Sequence, residues 1–480
     1  MLSGVLWVAL SRIILGLTPL FTLPALTRTF TTEWYGVWTQ IVITNSFIVP
    51  LIGFGFDMGV IRYFSAGFSE RKRVRDFYSM AALIVFIGLA LIAIALAGSR
   101  YVSILMFSKA ELTPYAVLTF VWIMVQAIYN YLISFFRATG KMQTYAIFDT
   151  FNGLLTAGIM VIFPLVLNSI WLMLIGIIIN QALFTLIFFI LIYCQLGLEQ
   201  ISFSKLGPYL NYGLPLVPNS LFLWLVNSSG RYFLTHFKGL AEVGVYAAGS
   251  TIANVMTLFF MPISFVLFPV IAKLWEEKKA PQVAENISLA NRWYLTLAIP
   301  GAFGLSFLAK PLVGLFSAKA FAGGADVIFL LTLANLFYGI YQINLYGALL
   351  LQKNIRLTVL FAGAGILNVI LNIILVPVFG TIGAAWAMLC SFFFLASAVF
   401  LWTKKTICFQ LDWKESFKII FSAGVMIGFL FLGQSFFNLS NLITLLIQIM
   451  TGIVTYTILL FLTKAVTWDE LKRIKTSQER

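Results

Sequence analysis

Long apolar runs separated by short polar loops fill this chain from its first residues to about residue 463. A bilayer core offers no water, so a spanning segment must satisfy its own backbone, and about 20 apolar residues wound as a helix do so. The runs are continuous rather than alternating, which excludes the two-residue pattern of a membrane barrel. They lie near residues 4–27, 37–61, 77–98, 113–136, 142–166, 169–194, 207–234, 241–271, 291–316, 325–350, 356–377, 381–403, 415–435 and 441–463, which predicts fourteen helices. The breaks at Pro164–Ser169 and Val376–Thr381 are short enough to be tight turns; read as kinks they would leave two fewer spans. With 61% apolar and 10% charged residues, against roughly a quarter charged in soluble domains, a water-soluble fold and a single-span anchor are both excluded. The fold class is an all-α polytopic membrane protein, and no loop exceeds about 20 residues, so none houses a soluble catalytic domain.

The chain carries 31 Lys+Arg against 17 Asp+Glu, a formal net charge of +14. In a soluble protein that balance would point to nucleic acid, but basic residues of membrane proteins sort to cytoplasmic loops. With the N-terminus inside, 22 basic residues fall on cytoplasmic loops and the tail, among them Arg71, Lys72, Arg73, Arg75, Arg137, Lys141, Lys205, Lys353 and Arg356. Six fall outside, namely Arg28, Arg100, Lys109, Lys238, Lys310 and Lys319. The bias places both termini in the cytoplasm and absorbs the charge without a nucleic-acid partner. Three arginines remain within or at the edge of spans: Arg12, Arg62 and Arg231. The N-terminal MLSGVLWVAL has no basic leader region and no small-residue cleavage site, which reads as a retained first helix. Three cysteines beside apolar runs and a lone His236 offer neither a disulfide framework nor a metal centre, so no metal and no cofactor is expected.

Two local matches suggest an internal duplication. Glu33-Trp-Tyr-Gly36-Val37-Trp38 follows the first span and Glu242-Val-Gly244-Val245-Tyr246 the seventh. A basic loop from Arg137 to Lys141 leads into a span closed by Pro164, and one from Lys353 to Arg356 into a span closed by Pro377. The step in numbering from Gly36 to Gly244 is close to that from Pro164 to Pro377. Similar steps predict helices 1–6 repeated as helices 7–12, which share orientation because six is even. Prolines match across the halves: Pro19 and Pro24 in helix 1 with Pro215 and Pro218 in helix 7, Pro50 in helix 2 with Pro262 and Pro269 in helix 8. Both members of each pair are expected to be broken, as bending elements of an alternating-access transporter. The predicted domains are 1–195 and 206–405 as two lobes of six helices, 412–465 as helices 13 and 14, and 466–480 as a cytoplasmic tail.

The stretch Tyr212-Gly-Leu-Pro215-Leu-Val-Pro218-Asn-Ser, continuing through Ser229-Gly-Arg231-Tyr232 to Gly244-Val-Tyr246, resembles the polysaccharide-export branch of the multidrug/oligosaccharidyl-lipid/polysaccharide transporter superfamily, and within it the Wzx-type O-antigen flippases. Leu367-Asn368-Val-Ile-Leu-Asn372, Val376-Pro377-Val-Phe-Gly380 and Gly383-Ala-Ala385 are similar to the family's second signature, and the Gly53–Arg62 segment also fits. The chain departs at Gly230, where many members carry an acidic residue before the arginine. The likeness reaches about residue 405; helices 13 and 14 match only in number and hydropathy. It implies twelve core helices around a central cavity plus two more, and no enzyme. It also implies movement of undecaprenyl-pyrophosphate-linked O-antigen or other polysaccharide repeat units from the cytoplasmic to the outer leaflet of a bacterial inner membrane. The implied partners are that lipid-linked oligosaccharide and membrane lipids, with a polysaccharide polymerase and a chain-length regulator as further ones.

An arginine near the middle of a membrane helix costs about 2.5–3.5 kcal/mol on insertion scales, so it faces a polar cavity or a partner. Arg12 sits well inside helix 1, and its guanidinium fork suits the acceptor oxygens of a pyrophosphate. The plain alternative is a snorkelling side chain or an ion pair with Asp57. Arg231 late in helix 7 and Arg62 at the cytoplasmic end of helix 2 are further substrate-binding candidates; Arg28 on the outer rim ranks lower. Asn219 and Asn227, eight apart on one face of helix 7, could meet sugar hydroxyls. Asn368 and Asn372 are read as interhelical hydrogen bonds, the commoner use of such residues. Asp57 and Asp149 are the acids best placed inside the membrane, as coupling-ion sites or as partners of Arg62 or Arg12. Two other functions compete: a cation-coupled multidrug extruder of the same superfamily, and an integral membrane glycosyltransferase or polymerase, for which the chain lacks an acidic metal site or a large loop.

Overall fold

The structure is a computed structural model that describes residues 2–64, 71–203, 206–409, 413–434 and 442–466; Lys205 and the tail from residue 467 lie outside them. Among the described residues there is no strand. The first half runs α1 (Leu2–Thr29), α2 (Thr32–Gly53), α3 (Phe56–Phe64), α4 (Arg71–Ala97), α5 (Ser99–Phe107), α6 (Thr113–Ala138), α7 (Met142–Leu167) and α8 (Ile170–Leu196). The second runs α9 (Gly207–Gly213), α10 (Val217–Lys238), α11 (Leu240–Ala253), α12 (Met261–Glu276), α13 (Ala280–Phe307), α14 (Ala309–Phe316), α15 (Ala325–Leu350) and α16 (Asn354–Ile407), followed by α17 (Trp413–Gln434) and α18 (Leu442–Leu462).

Among the described residues eleven helical segments are long and apolar enough to cross a membrane, and the pair α13/α14, bent by 71°, makes a twelfth. At 54 residues α16 would be about 80 Å long if straight, far beyond a bilayer core of about 30 Å. It is not straight: Gly380 stands at φ 56° and ψ −128°. A Cβ on Gly383 would lie 2.6 Å from the carbonyl carbon of Leu375, whereas eight residues of straight helix span about 12 Å. The chain therefore doubles back at Gly380, and α16 is two spans. The remaining span, α10, is diluted by Asn219, Asn227, Ser228, Ser229 and Arg231. The fourteen predicted spans are thus accounted for, and both short breaks are turns; the one after α7 is made by Asn168 at φ 46°.

Element lengths repeat along the chain. The starting residue moves from Arg71 to Ala280 between α4 and α13, and from Ser99 to Ala309 between the short α5 and the short α14. It moves from Thr113 to Ala325 between α6 and α15, and from Met142 to Asn354 between α7 and α16. These steps in numbering agree to within a few positions, and α6 and α15 have 26 residues each. Asn168 and Gly380, the positive-φ residues that end the corresponding spans, are separated by the same step as the starts of α7 and α16. The prolines behave less evenly than expected. The second-half counterparts break, at the 3-10 turns Leu214–Leu216 and Asn254–Phe259, and α2 ends at Gly53, but α1 runs unbroken through Pro19 and Pro24. Pro19 removes the amide that would bond the Leu15 carbonyl, and the Thr18 hydroxyl donates to that oxygen at 2.7 Å instead.

The described residues fall into two compact units, those within 2–247 and 361–388, and those within 248–360 and 389–466. The first is centred on fully buried aromatics, Phe77, Tyr131, Phe135, Phe136 and Phe188. In the second, α17 and α18 dock on α13, where the Tyr456 hydroxyl donates to the Thr296 carbonyl at 2.8 Å and Arg292 Nη2 to the Ala465 carbonyl at 2.6 Å. Within the first unit α2 and α11 touch through their glycines. A Cβ on Gly36 would come 2.8 Å from the Leu240 carbonyl carbon, and one on Gly244 2.9 Å from that of Thr32. Thr32 precedes Gly36 by the same four positions as Leu240 precedes Gly244, so the contact is reciprocal, as at a local two-fold axis.

Candidate functional site

Arg12 does not pair with Asp57. Its Nη2 donates to the Tyr145 hydroxyl and lies 3.8 Å from Asp149 Oδ2. The reason is packing: α1 lies along α7, whereas Asp57 opens α3 beyond a helix break. The Arg12 side chain is 45% exposed and that of Asp149 17%, so the cation presents an accessible face with its counterion behind it. Asp149 Oδ1 accepts from the Tyr129 hydroxyl at 3.5 Å, and the Arg137 guanidinium sits 5.6 Å from the centre of the Tyr145 ring.

This centre continues into a buried amide network. Tyr145, Asp149, Asn152 and Thr156 recur at intervals of four, three and four on α7, one helical face. From α8, Asn180 Nδ2 donates to Asn152 Oδ1 at 2.9 Å and to Thr156 Oγ1 at 3.1 Å, while Asn152 Nδ2 donates to Gln181 Oε1 at 3.3 Å. The amides tie α7 to α8, while Tyr145 and Asp149 tie the same face of α7 to α1 and α6 through Arg12 and Tyr129. Sequence reasoning singled out Arg12 and Asp149 but passed over Tyr129, Tyr145, Asn152 and the Asn180–Gln181 pair; the helical spacing on α7 was the available signal.

The other candidates occupy separate settings in the same unit. Arg62 is exposed on α3, its guanidinium 4.3 Å from the ring centre of Tyr212 and 5.6 Å from that of Tyr63. Asp57 pairs with neither Arg12 nor Arg62; its carboxylate lines a cavity at the end of α2. Arg231 faces the Tyr246 ring at 5.7 Å. Asn227 donates to the Leu223 carbonyl of its own helix at 2.9 Å, and Asn219, half-buried, stands two turns earlier. Asn368 and Asn372 are buried, and the interhelical reading holds for Asn368 alone: Ser229 Oγ of α10 donates to Asn368 Oδ1 at 2.8 Å, whereas Asn372 Nδ2 donates to that same oxygen at 2.8 Å within its own helix. Tyr232 bonds Thr44 at 2.5 Å and Trp224 Nε1 donates to the Ile43 carbonyl at 3.1 Å, so α10 is tied to α2. Among the described residues no group of three His, Cys, Asp or Glu could hold a metal.

A family described as "Polysaccharide biosynthesis protein" matches residues 1–275. The chain is 27% identical over 279 residues, 54% of its length, to a probable low-salt glycan biosynthesis flippase, Agl15, of Haloferax volcanii. That match spans 57% of the relative, so the chain covers little more than half of it. In fold it is similar to the lipid II flippase MurJ in an inward closed conformation, with a TM-score of 0.78, 17% identity, and 96% of this chain and 98% of that one covered. It is also similar to an inward-facing multidrug resistance MATE family transporter, with a TM-score of 0.64, 14% identity and coverages of 84% and 98%.

Proposed function

This chain belongs to the polysaccharide biosynthesis protein family, and we propose that it moves a lipid-linked oligosaccharide across the membrane by alternating access. The cargo is an undecaprenyl-pyrophosphate-linked repeat unit, of O-antigen or another polysaccharide, carried from the cytoplasmic to the outer leaflet of a bacterial inner membrane with both termini cytoplasmic. A polymerase that joins repeat units and a regulator of chain length are the partners that would consume the product.

The observation that carries this reading is Arg12. A guanidinium inside a span, half-exposed and aimed by Tyr145, is held where its insertion cost is offset only by a polar partner. A pyrophosphate supplies several anionic oxygens that match the fork. Arg62 and Arg231 are the further cationic contacts on the route, with Asn219 and Asn227 for sugar hydroxyls. A multidrug extruder shares the architecture, but a cationic cargo is repelled by Arg12, so the sign of the charge favours an anionic headgroup. Asp149, 3.8 Å from Arg12, is the coupling candidate: an arriving pyrophosphate competes for its cation, and a coupling cation can then take the place of the arginine beside a carboxylate otherwise held by the neutral Tyr129 hydroxyl.

The test is translocation of a defined polyprenyl-pyrophosphate glycan in proteoliposomes, with and without pH and sodium gradients. Arg12→Ala should lower the rate at least tenfold with the protein level retained, and Arg12→Lys should keep part of it. Native rates in Arg12→Ala would refute the role of Arg12, and no glycan movement by the native chain would refute the function.

A further inference from the structure

We infer that the break between α2 and α3 is a monosaccharide subsite, selective for a neutral or N-acetylated pyranose of the cargo glycan over an acidic one. The inference rests on the lipid-linked oligosaccharide reading and adds to it a place and a charge preference.

The break has a defined cause. Pro50 stands in the last turn of α2, and Phe54 and Gly55 follow with φ of 47° and 68°, two successive left-handed residues that end the helix. The bend is held from α9, because a Cβ on Gly55 would lie 2.7 Å from the Gly213 carbonyl oxygen. Non-helical backbone at membrane depth persists only where it is buried in protein or lines a polar cavity. Here a cavity of about 230 Å³ lies at the break, lined by Gly53, Gly55, Asp57, Asn130 and Ser220 among others. That is below the roughly 300–1,000 Å³ of pockets for drug-sized ligands, so it suits a single ring of the glycan.

The lining has the chemistry of a polyol site. The Asp57 carboxylate accepts from hydroxyls, and no described residue forms an ion pair or hydrogen bond with it. Asn130 Oδ1 is occupied by Gln126 Nε2 at 3.0 Å, which leaves its amide hydrogens to donate. Ser220 does both, and apolar groups such as Met58 and Val217 supply surface for the ring's C–H face. The lining includes no Lys or Arg, so the pyrophosphate belongs elsewhere. Asp57 lies in the first turn of α3, where the helix N-terminus favours a negative charge. Arg62, five residues on, is engaged with Tyr212. A uronic-acid carboxylate entering this cavity meets the Asp57 carboxylate, with no Lys or Arg in the lining to offset it.

The test compares the full-length chain in proteoliposomes on two synthetic substrates, polyprenyl-pyrophosphate carrying N-acetylglucosamine and the same lipid carrying glucuronic acid. The neutral substrate should move at least tenfold faster, and Asp57→Asn should narrow the ratio to about twofold by raising the acidic rate. Equal rates in the native chain, with both lipids moved, would overturn the subsite while leaving translocation intact. A ratio unchanged in a folded Asp57→Asn protein, checked by its melting curve, would also overturn it. If neither lipid moves, the functional reading fails and the subsite falls with it. Should Asp57→Asn not fold, the native ratio alone decides.

Discussion

Gly36→Ala tests the reciprocal contact between α2 and α11. The new Cβ would stand 2.8 Å from the Leu240 carbonyl carbon and 3.3 Å from Gly244 N, against 3.4 Å or more in ordinary contact. The neighbours are backbone atoms that cannot rotate away, and the Leu240 carbonyl oxygen is nearer still, so the helices must part by about 1 Å or more. Overpacking of that kind costs about 1–3 kcal/mol. The exchange also removes a glycine from a helix, worth about 0.5–1 kcal/mol in the opposite direction, so the net loss is roughly 0–2.5 kcal/mol. Gly158→Ala isolates the second effect: Gly158 is inside α7 with nothing within 4 Å of an added Cβ, and alanine there should stabilise by about 0.5–1 kcal/mol. The two variants should therefore move apart in denaturation followed by tryptophan fluorescence in detergent. The double variant Gly36→Ala/Gly244→Ala should lose clearly less than the sum of the singles, since one separation relieves both clashes. Equal and same-sign shifts for Gly36→Ala and Gly158→Ala, or strict additivity of the double, would refute the contact.

Asp149→Asn keeps the shape of the side chain and removes the charge opposite Arg12; because that arginine is half-exposed and screened, the pair is worth about 1 kcal/mol or less. Affinity for inorganic pyrophosphate, measured by calorimetry, should rise up to about fivefold, and an unchanged affinity would argue that the carboxylate does not compete for Arg12. Gly380→Ala forces a side chain into φ 56°, ψ −128°, a strain of about 1–3 kcal/mol, and should lower the denaturation midpoint; a neutral outcome would contradict the turn. Asn152→Ala takes the α7 donor from Gln181 and leaves Asn180 only its side-chain bond to Thr156 on that helix; it should cost about 1–2 kcal/mol, read as lost stability with Arg12→Ala as the reference for lost transport.

The sequence carried the span count because helices in a bilayer advertise themselves by length and hydropathy. It carried the duplication because repetition keeps element lengths even where residues differ: α6 and α15 match in length with little else in common. What could not be read was register between helices. Arg12 stood out alone, since its insertion cost is a property of one residue, but its counterion depends on how far α1 slides along α7, and Asp57 is much the nearer of the two candidate acids in sequence. Pro50 announced a break in α2, but where it falls was hidden for a different reason. Gly53-Phe54-Gly55-Phe56 continues an apolar run without a polar interruption, and only two successive left-handed residues, a backbone property, end the helix there. Conversely, Pro19 and Pro24 announced a break in α1 that the Thr18 hydroxyl helps to suppress. A proline thus marks where a span can bend, while neighbouring donors decide whether it does. Under the proposed function, the unbroken α1, holding Arg12, and the broken α2, opening onto Asp57, would divide the work of a carrier of charged lipid and neutral sugar: a cation for the headgroup, and an irregular pocket without Lys or Arg in its lining for the glycan.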